Sequence, residues 1–176
     1  MNFHLQRLQN DITRTVEGLT PGQLTWCREG KWNTAEILEH LYLTYTGTIK
    51  GFERCLAAGQ PLARPATRSD RIKTLVVVGF GYLPKGRQAP RPAVPRGLFP
   101  GLPLSEILSR TLPRITEMDA VIDRAIQAFG PDVALLDHPI LGPLRGPEWC
   151  KFHWVHGHHH VLQIVRLREL CASSPR

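Results

Sequence analysis

The stretch Glu148 to Gln163 constrains the chain most, because it carries five of the eight histidines. Set on a helix at about 100° per residue, Trp149, His153, His156, His160, Gln163, Leu167 and Leu170 fall on one narrow stripe. Both ends of the stripe are apolar, so it faces a core. Its middle is three imidazoles and an amide, and every buried ring nitrogen needs a partner. A metal ion is a partner that several imidazoles can share. His158 falls off the stripe toward solvent. His159 lies about 80° away and becomes a ligand only under a shifted register. The run His158-His159-His160 resembles a purification tag but is internal and continues into Val161-Leu162-Gln163-Ile164.

The rest of the chain reads as three further helices. Leu5, Leu8, Ile12, Val16 and Leu19 keep helical steps over residues 2–18, with Asn2 as cap, and Thr20-Pro21-Gly22 breaks the run into a loop over 23–32. Asn33 and Glu36 have capping-box spacing before a helix through Ile37, Leu41, Tyr45, Ile49 and Phe52, stopped near Ala58 by Gly59 and Pro61. A third helix spans about Ser105 to Phe129, perturbed by Pro113 and ended by Gly130-Pro131. Gly146-Pro147-Glu148 opens the last, which runs to about Cys171. Two connections remain: 131–146, and 61–103, which holds eight of the 15 prolines. Within the latter, Ser69 to Val78 suits a short helix or an apolar strand. No long stretch alternates at period 2. The expectation is an all-α four-helix bundle, one domain over 1–176, with a long Pro/Arg-rich connection between helices 2 and 3.

Charge is concentrated in that connection. Residues 61–97 hold eight Lys or Arg (Arg64, Arg68, Arg71, Lys73, Lys85, Arg87, Arg91, Arg96) and one acid, Asp70; eight less one equals the whole formal charge of +7. Prolines and glycines accompany these cations, not the aromatics or recognition helix of a nucleic-acid site, so nucleic-acid binding ranks last. A solvated loop, or attraction of an anion, is the better reading. Cys27, Cys55, Cys150 and Cys171 form no Cys-x-x-Cys and read as reduced thiols. With no transmembrane run and no signal-peptide pattern at Met1-Asn2-Phe3-His4, the sequence predicts a cytoplasmic protein without a membrane partner.

His156 and His160, one turn apart, can share an ion, and a third ligand must come from another helix. His40 is the best supplier. Imidazoles favour zinc, nickel, iron or copper over magnesium or calcium. Three protein ligands leave a position for water or substrate, as catalytic sites do. His153 suits a fourth ligand, a group behind the ligands or a substrate contact, the last two preferred. Gln163 suits a partner for a ligand imidazole or a satisfied core amide. Glu36 and Glu39 flank His40 and suit cap and surface roles better than base catalysis. Cys150 suits a small buried residue. Phosphate loops, nucleophile elbows and His-Glu-x-x-His are absent, which counts against a zincin-like protease.

Four features together resemble the DinB/YfiT-like metalloenzyme superfamily: Gly30-Lys31-Trp32-Asn33-Thr34 leading to His40; His138-Pro139 with Leu141-Gly142-Pro143-Leu144; Glu148-Trp149; and His156-x-x-x-His160-x-x-Gln163. The second and third are similar to its domain-of-unknown-function branch. Val161 and the long basic connection depart from the pattern. The resemblance implies up-down-down-up helix order and a nickel or zinc site on His40, His156 and His160. It also implies kinship with S-transferases that use a low-molecular-weight thiol. The expected function is therefore a metal-dependent transferase or hydrolase acting on a small electrophilic molecule, with His153 and Gln163 as candidate catalytic residues. The alternative is a non-catalytic metal- or ligand-binding bundle of stress-response type. Expected partners are a small-molecule substrate and, at most, a second copy in a homodimer.

Overall fold

A computed structural model describes residues 1–84 and 88–173; Lys85 and Arg87, two of the cations counted above, lie outside them. Among the described residues there are six α-helices: α1 (Phe3–Val16), α2 (Pro21–Thr25), α3 (Thr34–Ala58), α4 (Arg68–Thr74), α5 (Leu104–Phe129) and α6 (Gly146–Ser173). A π-helical turn (Leu75–Gly79) extends α4, and a 3-10 turn covers Arg91–Ala93. The fold is mostly helical, but not all-α. Strands β1 (Ala134–His138) and β2 (Gly142–Arg145) pair antiparallel where a plain connection was expected. Strands of five and four residues, one containing Pro143, are too short to show alternation.

One other departure has a local cause: residues that end one helix also begin another. Thr20-Pro21-Gly22 stops α1, yet Thr20 and Gln23 form a capping box with proline in the first turn of α2. Inside the proline-rich connection Thr67 and Asp70 cap α4, so of the two readings of Ser69 to Val78 the short helix is the one found. Asn33 and Glu36 cap α3 as the spacing predicts, and Gly59, at φ 64°, closes it in the left-handed conformation. α5 starts at Leu104 with no side-chain cap, not at a Ser105 cap. Pro113 does not end α5, because the Ser109 carbonyl that loses its helical donor lies on an exposed residue.

The predicted stripes form the core. Leu5, Leu8, Ile12 and Val16 of α1 are completely buried, as are Leu41, Tyr45 and Phe52 of α3 and Ile115 and Met118 of α5. α3 runs along α5 and α1 along α6, with further contacts from α5 to α1 and α6. Two glycines set these approaches. A Cβ on Gly157 would overlap the Leu8 side chain, so α1 reaches α6 where the histidine run lacks a side chain. A Cβ on Gly51 would overlap Leu136, so β1 sits directly on α3. The hairpin and the 61–103 connection therefore flank the face of α3 and α6 that carries the histidines. No helix among the described residues is long and apolar enough to cross a membrane.

Candidate metal centre

α3 and α6 bring His40, His156 and His160 together, with one ring nitrogen from each within 4.8 Å of the others. His40 and His160 are buried and His156 is half-buried. The His156 Nε2 is the middle atom, 3.2 Å from His40 Nε2 and 3.1 Å from His160 Nε2.

The outer edges of the two flanking rings are committed elsewhere. His40 Nδ1–H donates to the Ala93 carbonyl at 2.7 Å. His160 Nδ1–H donates to Gln163 Oε1 at 2.8 Å, and the Gln163 amide donates in turn to His159 Nε2 at 3.1 Å. With their protons on Nδ1, the neutral rings present bare Nε2 lone pairs to each other. One proton on His156 Nε2 cannot satisfy both. A cation at their common point satisfies all three. Bonds of about 2.0–2.1 Å in tetrahedral array put nitrogens about 3.3–3.4 Å apart, close to the two spacings found. The donor set thus fits a transition metal.

The electrostatics agree. Burial, above all, holds all three histidines below the ordinary imidazole range: His160 falls to about 3, His156 falls far, and His40 falls although its bond to Ala93 opposes the shift. Neutral imidazole is the form that ligates. The His156 Nδ1 is buried without a hydrogen-bond partner among the described residues, and its ring stacks on Phe152 (centroids 5.5 Å apart, planes at 10°). Trp32 lies 5.1 Å from His40 and completes the aromatic surround.

Glu39 departs from its expected surface role and is completely buried. Its carboxylate accepts the backbone N–H groups of Arg96 (2.6 Å), Leu98 (3.0 Å) and Phe99 (3.3 Å). Adjacent residues of α3 therefore grip the proline-rich connection: Glu39 anchors 96–99 and His40 takes the Ala93 carbonyl. A capped, mid-helix glutamate gives no sequence signal that its partners lie about 60 residues away.

The other predicted residues are dispersed. His153 is fully buried one turn from His156, but its Nε2 pairs with Thr48 Oγ at 3.0 Å and its Nδ1 has no partner. It lies outside the three-nitrogen cluster. Gln163 is exposed, contrary to its place on the stripe, because it lines an open cavity, although Leu167 further along the stripe is buried. His158 stacks on Trp154 with its side chain 41% exposed. Cys150 is buried, and burial pushes its thiol up to about 12, so it is no nucleophile.

The cluster opens into a cavity of about 1370 Å³. Pro90, Pro92, Ala93 and Val94 of the basic connection form part of its wall, but among the described residues most of the lining cations come from elsewhere: Arg28, Lys31, Arg54 and Arg166, with Lys73 from 61–97. Arg64 is instead occupied with Asp70 (2.7 Å) and Asp137 (3.8 Å).

Against known families, residues 4–164 match the model of the DinB superfamily. No curated protein and no solved structure matches the chain. The match covers nearly the whole sequence, and the chain belongs to the DinB superfamily.

Proposed function

For a member of the DinB superfamily with this cluster, we propose a metal-dependent enzyme whose zinc or nickel ion is held by His40, His156 and His160. The observation that carries the reading is the convergence of three Nε2 atoms, two of them stripped of protons by Nδ1–H bonds to Ala93 and Gln163. An ion there would supply a Lewis acid that lowers the pKa of a thiol or water and so furnishes a nucleophile. The reaction is transfer of a thiol to, or hydrolysis of, a small electrophilic molecule. The chain's own groups do the rest. Ala93 and Gln163 hold the ligand tautomers. Trp32 and Phe152 keep the ligand rings in an apolar setting. The cations that line the cavity, Arg28, Lys31, Arg54 and Arg166, favour an anionic substrate.

The pairing of α3 with α5 and of α1 with α6 supports an up-down-down-up four-helix bundle as the frame. The opening of the cluster into a large cavity favours an enzyme over a closed structural site. The test is elemental analysis of protein never exposed to nickel resin, followed by chelation. Stoichiometric zinc or nickel, removable with the helical signal retained, is expected. Metal-free protein that takes up none in titration overturns the reading, and unfolding on chelation replaces it with a structural site.

A further inference from the structure

His138 is an imidazole of this cavity that the metal reading leaves unused. It ends β1, and its Nδ1 accepts two backbone N–H groups of the turn, from Ile140 and Leu141, both at 3.1 Å. An Nδ1 that accepts twice carries no proton, so the proton sits on Nε2. The ring is wedged against Phe152 (4.3 Å) and Trp149 (5.5 Å), and the residue lines the cavity. Its Nε2–H has no hydrogen-bond partner among the described residues. Burial lowers its pKa to about 4, so the ring stays neutral and the donor persists at physiological pH. The result is a single fixed N–H donor in an aromatic wall.

The mouth of the same cavity is cationic. Arg28, Lys31, Arg54 and Arg166 have no acidic partner among the described residues, and Lys73 is 3.9 Å from Asp70. Asp137, the acid in the lining, is engaged by Arg64. The Phe152 ring stacks on His156 and also touches His138, so one aromatic ring adjoins both the donor and the cluster. We propose that His138 is a substrate-binding residue whose Nε2–H takes a carboxylate oxygen of a small acid with an apolar body, laying that body along Phe152 toward the three-histidine centre. The inference rests on the metal-centre reading for the orientation of the substrate.

A merely structural His138 would cap its turn and do nothing more. His138→Asn separates the two roles: an asparagine Oδ1 can accept the same turn N–H groups, but the Nε2 donor is gone. The probe is benzoate, titrated calorimetrically into the zinc-loaded full chain, with zinc stoichiometry measured first. Saturable binding to the unaltered chain is expected, weakened about tenfold in His138→Asn with zinc content and melting temperature kept. In parallel, ¹⁵N-histidine spectra of the unaltered chain should show the His138 Nε2–H signal move on benzoate addition, a readout that survives if the variant misfolds. Equal binding by the variant, no binding by the unaltered chain, or binding with that signal unmoved each overturns the proposal. Absence of zinc uptake overturns the metal-centre reading instead, and is seen before benzoate is added.

Discussion

Two groups of buried or half-buried imidazoles meet at α6, and they differ in which nitrogen the protein claims. In the first, His40 and His160 give Nδ1–H to fixed acceptors and turn Nε2 inward on His156. In the second, His153 spends Nε2 on Thr48 and His138 spends Nδ1 on its own turn. Burial depresses the pKa in both groups, to about 3 for His160 and for His153 alike. Depressed basicity therefore does not distinguish a ligand from a core histidine. The direction of the free lone pairs does. Only the first group leaves several lone pairs aimed at one point.

The comparison breaks most readily at His40. His40→Ala should lower zinc affinity by more than about a hundredfold, since even groups behind the ligands typically cost 10–100-fold. His153→Phe, which fills the same space, should leave that affinity within about threefold while changing stability through Thr48, whose hydroxyl loses its partner. Competition titration with a chromophoric chelator measures both. Equal losses would merge the two groups and end the distinction.

Acid sharpens it next. The unfolded histidines protonate below about 6.5, while His153 and His160 stay neutral until about 3 and His138 until about 4 in the fold. Between those limits the unfolded chain binds more protons, so stability is full above about 6.5 and falls as the pH drops toward 3. Each such histidine adds about 1.4 kcal/mol per pH unit to the slope. Urea midpoints from pH 7.5 to 4.5 should fall steadily. Saturating zinc should raise the midpoints across this range, because in the fold His160 stays neutral until about 3 and protons compete little for it. A midpoint that does not change with pH would show that these imidazoles are not held neutral.

Much of the first group was legible in the sequence because helix periodicity is local. His156 and His160 lie one turn apart, and the Asn33–Glu36 box fixes the start of the helix that carries His40. What stayed hidden depends on contacts across the chain. The Ala93 carbonyl that orients His40 lies 53 residues away, in a stretch with no periodicity to read. The Glu39 anchor is hidden for the same reason: nothing in Ile37-Leu38-Glu39-His40 shows that its carboxylate is buried against 96–99. The hairpin was invisible because it owes its place to Gly51 and to Asp70 beside Gly142, where a Cβ would meet the carboxylate. Gln163 misled in the opposite sense, since a stripe shows facing but not where the packed core gives way to a cavity.

Gln163→Leu tests whether the Nδ1 claim matters in its own right. It removes the acceptor of the His160 Nδ1–H without touching a lone pair of the cluster. Zinc affinity should fall about tenfold, less than for any ligand. The effect should vanish in a His160→Ala background, because the amide acts only through that ring.

His158→Ala should do least. The ring sits two residues from His156 and His160 but points away, stacked on Trp154 and 3.7 Å from Asp11. Zinc affinity should be unchanged, and stability should move by no more than about 0.5 kcal/mol, as for other surface substitutions. Calorimetric titration and thermal melts of the variant check both. The value of so small an effect lies in its contrast with Gly157 next door. There a methyl group would meet Leu8, and Gly157→Ala should cost about 1–3 kcal/mol by pushing α1 from α6. If His158→Ala weakened zinc binding while Gly157→Ala left stability alone, the helix would be rotated about its axis from the register assigned here, and the stripe that joins His153, His156 and His160 would have to be redrawn.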